Sequence, residues 1–395
     1  MKNIRNTILF VALAASSFDS ARANESVRIQ GFGSVVGASV IDGPGYIAEY
    51  PNLGIYDEET FDFGQESRFG LQVTGDINEK LYATVQLMFR GANEFDSEVA
   101  WAYLSYEASA EGTLQMGRLR VPVYHFSEYM DVGYAYPWLR IPADTYSLDL
   151  INFNGLRYSH QFQVGDASLS TTVSYGNQNN TDSELMGYLF PEQIDRDFSD
   201  ITGLVIGLEF DNIELRTSYV QADMLDTRHL SSFLATNILF IPESSLYPSN
   251  TGLTDASGDA LVATDTQYDI SFFDISAKIT AGQFSFFLEY NKYDPFYESY
   301  FGSISYAWED MQFYALYSKF DLDEAWESHD TKSLGLRYDF MPNVAFKADI
   351  SIFSDTGYNP FTLDPNPVYA PAKLLNGGDG DGDATILSFG IDFVF

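Results

Sequence analysis

The chain has 395 residues, 56 acidic against 21 basic side chains, a formal net charge of −35 and no cysteine. A surface that acidic repels nucleic acid, and an exported chain without cysteine must be held by hydrogen bonds and packing rather than disulfides. Beyond the first residues no apolar run reaches the roughly 20 residues that a spanning helix needs, which excludes a helical membrane bundle.

In chain order the first element is a leader. Lys2 and Arg5 precede a short apolar run at 8–15, and Ala21, Arg22 and Ala23 offer a cleavage site. Residues 1–23 are therefore expected to be a cleaved signal peptide, with the mature chain starting near Asn24. Cleavage would remove Lys2, Arg5 and Arg22 against the single acid Asp19, so the mature protein is more acidic still.

From residue 24 to 395 one pattern repeats without a break, which argues for a single domain. Segments of about ten residues alternate apolar with polar or small side chains, the period of a strand with one greasy face. Phe69, Leu71 and Val73 alternate with Arg68, Gly70, Gln72 and Thr74. After Asn78 and Glu79 the pattern resumes, with Leu81, Ala83, Val85, Leu87 and Phe89 against Tyr82, Thr84, Gln86 and Arg90. The pair reads as a tight hairpin.

Sixteen strands are predicted this way, near 27–41, 66–76, 80–90, 99–107, 112–119, 154–163, 167–176, 201–210, 213–223, 266–280, 284–292, 299–307, 311–320, 331–340, 344–354 and 384–395. A further hairpin in 231–247 would make eighteen. Short turns alternate with long links at 42–65, 120–153, 224–265 and 355–383, as in an up-and-down transmembrane β-barrel with short periplasmic turns and long external loops. An even strand number puts both termini on the periplasmic side. A soluble sandwich is the competing fold. Its strands are usually shorter, and it has no use for the aromatics expected here to form interfacial girdles: Tyr290, Tyr293, Phe296, Tyr297, Tyr300 and Phe301 at one rim and Trp308 at the other.

A barrel this wide is not filled by its own wall, so water remains inside unless something enters. The third long link, 120–153, is the candidate constriction, because links of that length without strand pattern are commonly functional. Charged residues sort by position. Arg68, Arg90 and Arg157 fall on inward strand faces, Arg118 does so only if its strand bulges near Gly117, and Lys278, Lys319, Arg337 and Lys347 also lie on strands. An arginine on the lipid face costs about 2–4 kcal/mol at the midplane, so these side chains belong in the lumen or at a rim. Facing Glu128, Asp131, Asp144 and Asp149 of the third link, a wall of Arg68, Arg90, Arg118 and Arg157 would set a transverse field. The alternative is that the arginines pin the loop.

The run at 377–383 places Asp379, Asp381 and Asp383 at alternate positions, a weak calcium pattern without the downstream glutamate of a calcium-binding helix pair. The apolar piece at 233–241 is expected to cap the mouth or touch another subunit. His125, His160, His229 and His329 are scattered, with no triad spacing, no metal-ligand cluster and no phosphate loop, so neither catalysis nor a cofactor is expected.

The last strand alternates Leu387, Phe389, Ile391, Phe393 and Phe395 with small or polar residues and stops on the phenylalanine. This resembles the C-terminal signature that outer-membrane barrels present to their assembly machinery. With Gly31, Phe32 and Gly33 in the first strand, the Arg68-Phe69-Gly70-Leu71 run, and the segment from Gly112 to Arg118, the chain resembles the Gram-negative general porins. The resemblance implies a trimer of sixteen-stranded barrels in the bacterial outer membrane, the third loop folded inward, and a water-filled channel for passive diffusion of small hydrophilic solutes. A substrate-selective, anion-preferring channel, a barrel enzyme and an adhesin are the alternatives. Partners expected are lipid and lipopolysaccharide, with divalent cations bridging acidic loops to headgroups. The third loop departs from the enterobacterial pattern: it carries no Pro-Glu-Phe-Gly-Gly segment and reads Tyr134, Ala135, Tyr136, Pro137, Trp138.

Overall fold

The computed structural model describes residues 26–57, 60–181, 183, 185–186, 193–232, 235–236, 241–249, 251–254, 258–323, 327–356 and 382–395. The expected signal peptide lies outside them. The long strands are β1 Val27–Asp42, β2 Arg68–Asn78, β3 Leu81–Arg90, β4 Ser97–Glu107, β5 Gly112–Arg120, β6 Asn152–Val164, β7 Ala167–Asn180 and β8 Gln193–Phe210. They continue as β9 Ile213–Leu230, β10 Val262–Ala281, β11 Phe284–Asp294, β12 Tyr297–Trp308, β13 Met311–Leu322, β14 Ser328–Met341, β15 Val344–Asp355 and β16 Ala384–Val394.

Each strand pairs antiparallel with the next, and β1 also pairs with β16, Phe32 opposite Val394. The sheet is a closed sixteen-stranded barrel, so across the bilayer span every wall strand has a hydrogen-bonded neighbour on both sides. The last residue takes part in closure: Phe395 and Gly31 exchange backbone bonds of 2.8 and 2.9 Å. No hairpin from 231–247 joins the wall among the described residues; Tyr247–Pro248 forms a two-residue strand beside the start of β10. Most of 233–241 lies outside the described residues.

One rim carries tight turns. Asp211, Glu309, Asn343, Gly165 and Gly282 all adopt positive φ there, the left-handed conformation that lets a two-residue hairpin match strand twist. The other rim carries the long connections at 43–67, 121–151, 231–261 and 356–383.

Outward positions are apolar in a band and polar beyond it. On β9 the outward Leu215 and Tyr219 are followed by Gln221 and Asp223; on β10 Ile279, Ile275 and Phe273 give way to Asp269 and Gln267. The change explains why β8, β9 and β10 reach 18, 18 and 20 residues, where about 9–11 suffice to cross a bilayer: their upper halves stand outside it. Those halves persist because their inward side chains Phe198, Val220, Met224 and Ile270 are buried.

The girdle expected at 290–301 divides. Tyr290 and Tyr300 point outward, but Tyr293, Tyr297 and Phe301 are 5%, 7% and 1% exposed and face the barrel interior. Strand parity sends alternate side chains to opposite faces, and the inner set packs on the third loop. Trp308 lies exposed toward the opposite rim, as expected.

Candidate constriction site

The third loop, 121–151, leaves β5 and returns to β6 with its base closed by the Val121 amide on the Ile151 carbonyl at 2.9 Å. In between it crosses the lumen. Its Tyr124, Phe126, Trp138, Tyr146 and Leu148 form one buried cluster with the inward Phe272, Phe287, Phe301, Tyr314 and Phe320 of β10 to β13. Tyr124 stacks on Tyr146 at 4.0 Å, and Phe126 meets Trp138 edge-on at 5.5 Å. A loop that exchanges water for this much aromatic surface is held by the hydrophobic effect before any polar contact is counted.

Polar groups from the wall then satisfy the loop backbone. The Lys347 ammonium on β15 donates to the carbonyls of Gly133, Tyr136 and Trp138 at 2.6, 2.8 and 2.7 Å while paired with Asp392 at 2.9 Å. Arg337 on β14 donates to the Tyr134 and Tyr136 carbonyls, and Arg216 on β9 to those of Pro122 and Val123. Glu289 on β11 accepts from the His125 amide at 2.7 Å and from the Tyr146 hydroxyl at 2.9 Å. The loop tip touches the wall at Gly133, where a Cβ would come within 2.7 Å of Ser34 Oγ, so the backbone can approach only without a side chain.

The sequence-predicted charges divide into three groups. Asp131 is buried and shared by Arg90 at 2.8 Å, Arg120 at 2.5 Å and Arg68 at 3.6 Å. These guanidiniums hold its carboxyl well below the ordinary aspartate range against the opposing effect of burial. Glu128, 60% exposed at its side chain, pairs with Arg157 at 2.8 Å, and Arg157 also donates to the Arg120 carbonyl. Arg68 further meets Glu49 at 3.5 Å, and Arg90 meets Glu98 at 3.7 Å.

Asp144 and Asp149 do not face this wall, contrary to expectation. Asp144 accepts from Ser318 Oγ at 2.5 Å and pairs with His329 at 2.8 Å, while Asp149 pairs with Arg196 at 3.0 Å. The loop is long enough to reach the opposite side of the barrel, so its acids distribute around the circumference. Arg118 is not part of the basic wall either. It follows the outward parity of Leu114 and Met116 and donates to the Val99 carbonyl at 3.0 Å and to Gln178 at 3.2 Å. Gly117 does take the unusual backbone, at φ 139°, without turning Arg118 inward.

Sequence reading missed Arg140, Arg120, Arg196, Arg216 and Glu289. Arg140 makes a bidentate pair with Glu66 at 2.8 and 2.7 Å and reaches Ser388 at 2.7 Å. Its signal was a lone arginine amid Trp138, Leu139 and Ile141, a setting where a charge persists only if paired. Of the weak calcium pattern, Asp379 and Asp381 lie outside the described residues, and Asp383 accepts from the Asp355 amide at 2.8 Å. Among the described residues no group of three metal-ligating side chains occurs.

A crevice of about 10 Å³ lies between the loop and the β13–β15 wall at Arg140, and one of about 30 Å³ lies on the other side of Arg140, between the loop and Ala48, Glu49, Glu66 and Arg68. Larger spaces lie along β1 to β4. One of about 370 Å³ is bordered by Gln30, Gln72, Gln86, Trp101, Glu128 and Asp131. The next, about 590 Å³, shares Gln30 and Gln72 and extends toward the tight-turn rim at Asn78 and Glu79.

A family model described as Gram-negative porin matches residues 9–393. Among solved structures, the outer-membrane channel DcaP of Acinetobacter baumannii aligns with a TM-score of 0.56 at 10% identity, covering 95% of this chain and 99% of that one. An anion-selective porin from Comamonas acidovorans gives 0.53 at 13%, covering 94% and 99%, and Salmonella typhi OmpF in complex with daunomycin gives 0.52 at 12%, covering 93% and 97%. At such identities these likenesses show the fold. No curated protein sequence matches. With a closed barrel, a greasy outer band and a loop laid across the lumen, the chain belongs to the Gram-negative porin family and forms a channel in the bacterial outer membrane.

Proposed function

We propose that the channel passes small hydrophilic solutes by diffusion, with no reaction step, along the β1–β4 side of the lumen. The observation that carries this reading is the asymmetry of the third loop, which is packed against β10–β15 and borders a space of about 370 Å³ on the β1–β4 side that continues into one of about 590 Å³, whereas the hollow of about 470 Å³ at β10–β13 is bordered largely by the outward-facing Ile275, Leu288 and Tyr300. The charges bordering that side balance locally. Arg68, Arg90, Arg120 and Arg157 are matched by Glu49, Glu98, Asp131 and Glu128, so size and hydrogen bonding govern passage more than charge. Anion preference is the second reading, favoured by the same four guanidiniums crowding the loop acids.

The test is planar-bilayer recording of purified protein. Step-like conductance is expected, and its absence refutes the reading. Replacing Arg68, Arg90 and Arg157 together by Ala should move the reversal potential in a salt gradient toward cation preference. An unchanged potential means that these groups do not border the narrow zone.

A homotrimer is part of the same proposal. Aromatics gather on the outside of β16, β1 and β2. Phe61 and Phe63 of the first long connection fold back over β1, and Phe61 stacks on Phe389 at 5.4 Å; Phe69 meets Phe395 at 6.2 Å. A Vibrio cholerae outer-membrane protein with a TM-score of 0.52 is described as a trimer form. Phe389, Ile391 and Phe395 remain exposed on the barrel exterior, available as the assembly signal proposed for the terminal strand, in which Phe393 shares their parity. Lipopolysaccharide contact through acidic loops belongs to this proposal as well. Cross-linking in native membranes tests the oligomer: a ladder reaching three subunits is expected, and one that stops at monomer or dimer refutes it.

A further inference from the structure

The strand register carries one row of side chains that the ion pairs do not use. Gln30 on β1 stands opposite Gln72 on β2, Gln72 opposite Gln86 on β3, and Gln86 opposite Trp101 on β4. All four face the lumen and border the 370 Å³ space beneath the loop. Gln86 Nε2 donates to Gln72 Oε1 at 3.2 Å, which orients the two amides along the row and leaves Gln72 its own amino group and Gln30 its whole amide toward the water. One row nearer the tight turns, Thr74 and Thr84 share a 3.1 Å hydroxyl contact.

We infer that this row is a binding subsite for neutral polyhydroxylated solutes of sugar size, met just below the constriction. The chemistry follows from the lining. Each amide both donates and accepts, as each sugar hydroxyl does, so paired bonds form without either partner giving up a charge. Trp101 and the inward Phe32 provide apolar faces for the carbon side of a pyranose ring, the mixed lining that ligand sites use. The only charged side chains bordering the space are Glu128 and Asp131, each already paired with arginine, and no basic residue borders it. An inorganic ion therefore finds no unspent countercharge here, whereas a hydroxyl finds acceptors. The space of about 370 Å³ is also within the range typical of small-molecule sites.

The subsite rests on the conduction reading, and the experiment separates the two. Ion current through wild-type channels is recorded in planar bilayers while maltose is titrated, with betaine, a zwitterion without hydroxyls, as the comparison solute. Maltose should lower the current saturably and add binding noise, and betaine should act only through viscosity. In Gln72→Leu/Gln86→Leu the sugar-free conductance should stay within about twofold of wild type while half-saturation rises at least tenfold, about 1.4 kcal/mol. Gln30→Leu, at an exposed position that the fold does not need, should raise it severalfold and serves if the double variant fails to assemble. A wild-type current that falls only with viscosity overturns the subsite while leaving the channel standing, as does a half-saturation unmoved by the substitutions. A wild-type protein with no current overturns both.

Discussion

Lys347 bears more of the third loop than any other single side chain described, and Lys347→Met measures that. The lysine is fully buried beside Asp392, which is 3% exposed. Methionine keeps most of the stem volume but removes the ammonium, so the packing change is small. What is lost is a buried ion pair at 2.9 Å and the donor to three loop carbonyls. Asp392 keeps only the Ser34 hydroxyl at 2.5 Å. Breaking one side of a buried pair costs about 3–5 kcal/mol, and each abandoned carbonyl adds about 1 kcal/mol or more unless water reaches it.

Urea unfolding of the protein in lipid vesicles should therefore show Lys347→Met destabilised by at least about 3 kcal/mol, roughly a hundredfold in the folding equilibrium. Single channels should become noisy as residues 133–138 detach. Adding Asp392→Asn removes the stranded charge and should recover part of the loss, with a coupling of about 1–3 kcal/mol. A single variant within about 0.5 kcal/mol of wild type, the range of an ordinary surface change, would refute the tether.

Gly133→Ala pushes a methyl toward Ser34 and should cost about 1–3 kcal/mol by the same urea assay, whereas alanine at half-buried Gly75, where open space surrounds the new carbon, should be nearly neutral. Asp131→Asn removes the carboxylate shared by Arg68, Arg90 and Arg120, and the reversal potential in a salt gradient should move toward anions. Because its folded value is depressed, Asp131 contributes stability that is complete above the unfolded value of about 3.9 and fades as pH falls below it. The stability gap between wild type and Asp131→Asn should accordingly be constant above about pH 5 and shrink in stronger acid. Burial pushes His125 of the loop down to about 3, helped by Arg216 and Lys278. A histidine held neutral stabilises fully above about 6.5 and loses that contribution as pH falls toward the folded value, so His125→Gln should flatten the stability profile between pH 6.5 and 4.5.

The wall was legible in the sequence because lipid imposes its rule locally. Each ten-residue segment such as Phe69 to Val73 had to show its greasy face, and the tight turns at 211–212 and 309–310 ended each segment within a residue or two of the prediction. The rule failed for the inward face. A polar lumen was assumed, yet Phe287, Phe301 and Tyr314 point inside because the loop, not water, is their neighbour. That same assumption placed Tyr293 and Tyr297 in a girdle they do not join. Arg118 shows the other limit: strand parity placed it outward, and a bulge invoked at Gly117 to bring it in did not.

The sequence by itself determined the strands, their number and the hand-over from short turns to long links, since these depend on neighbours a few residues apart. Only the tertiary structure decided which acids meet which arginines. Asp131 lies 41 residues from Arg90, and Gly133 lies 214 from Lys347. Those meetings are made by closing the barrel and folding one loop across it, and no local pattern in the chain records the distance that closure spans.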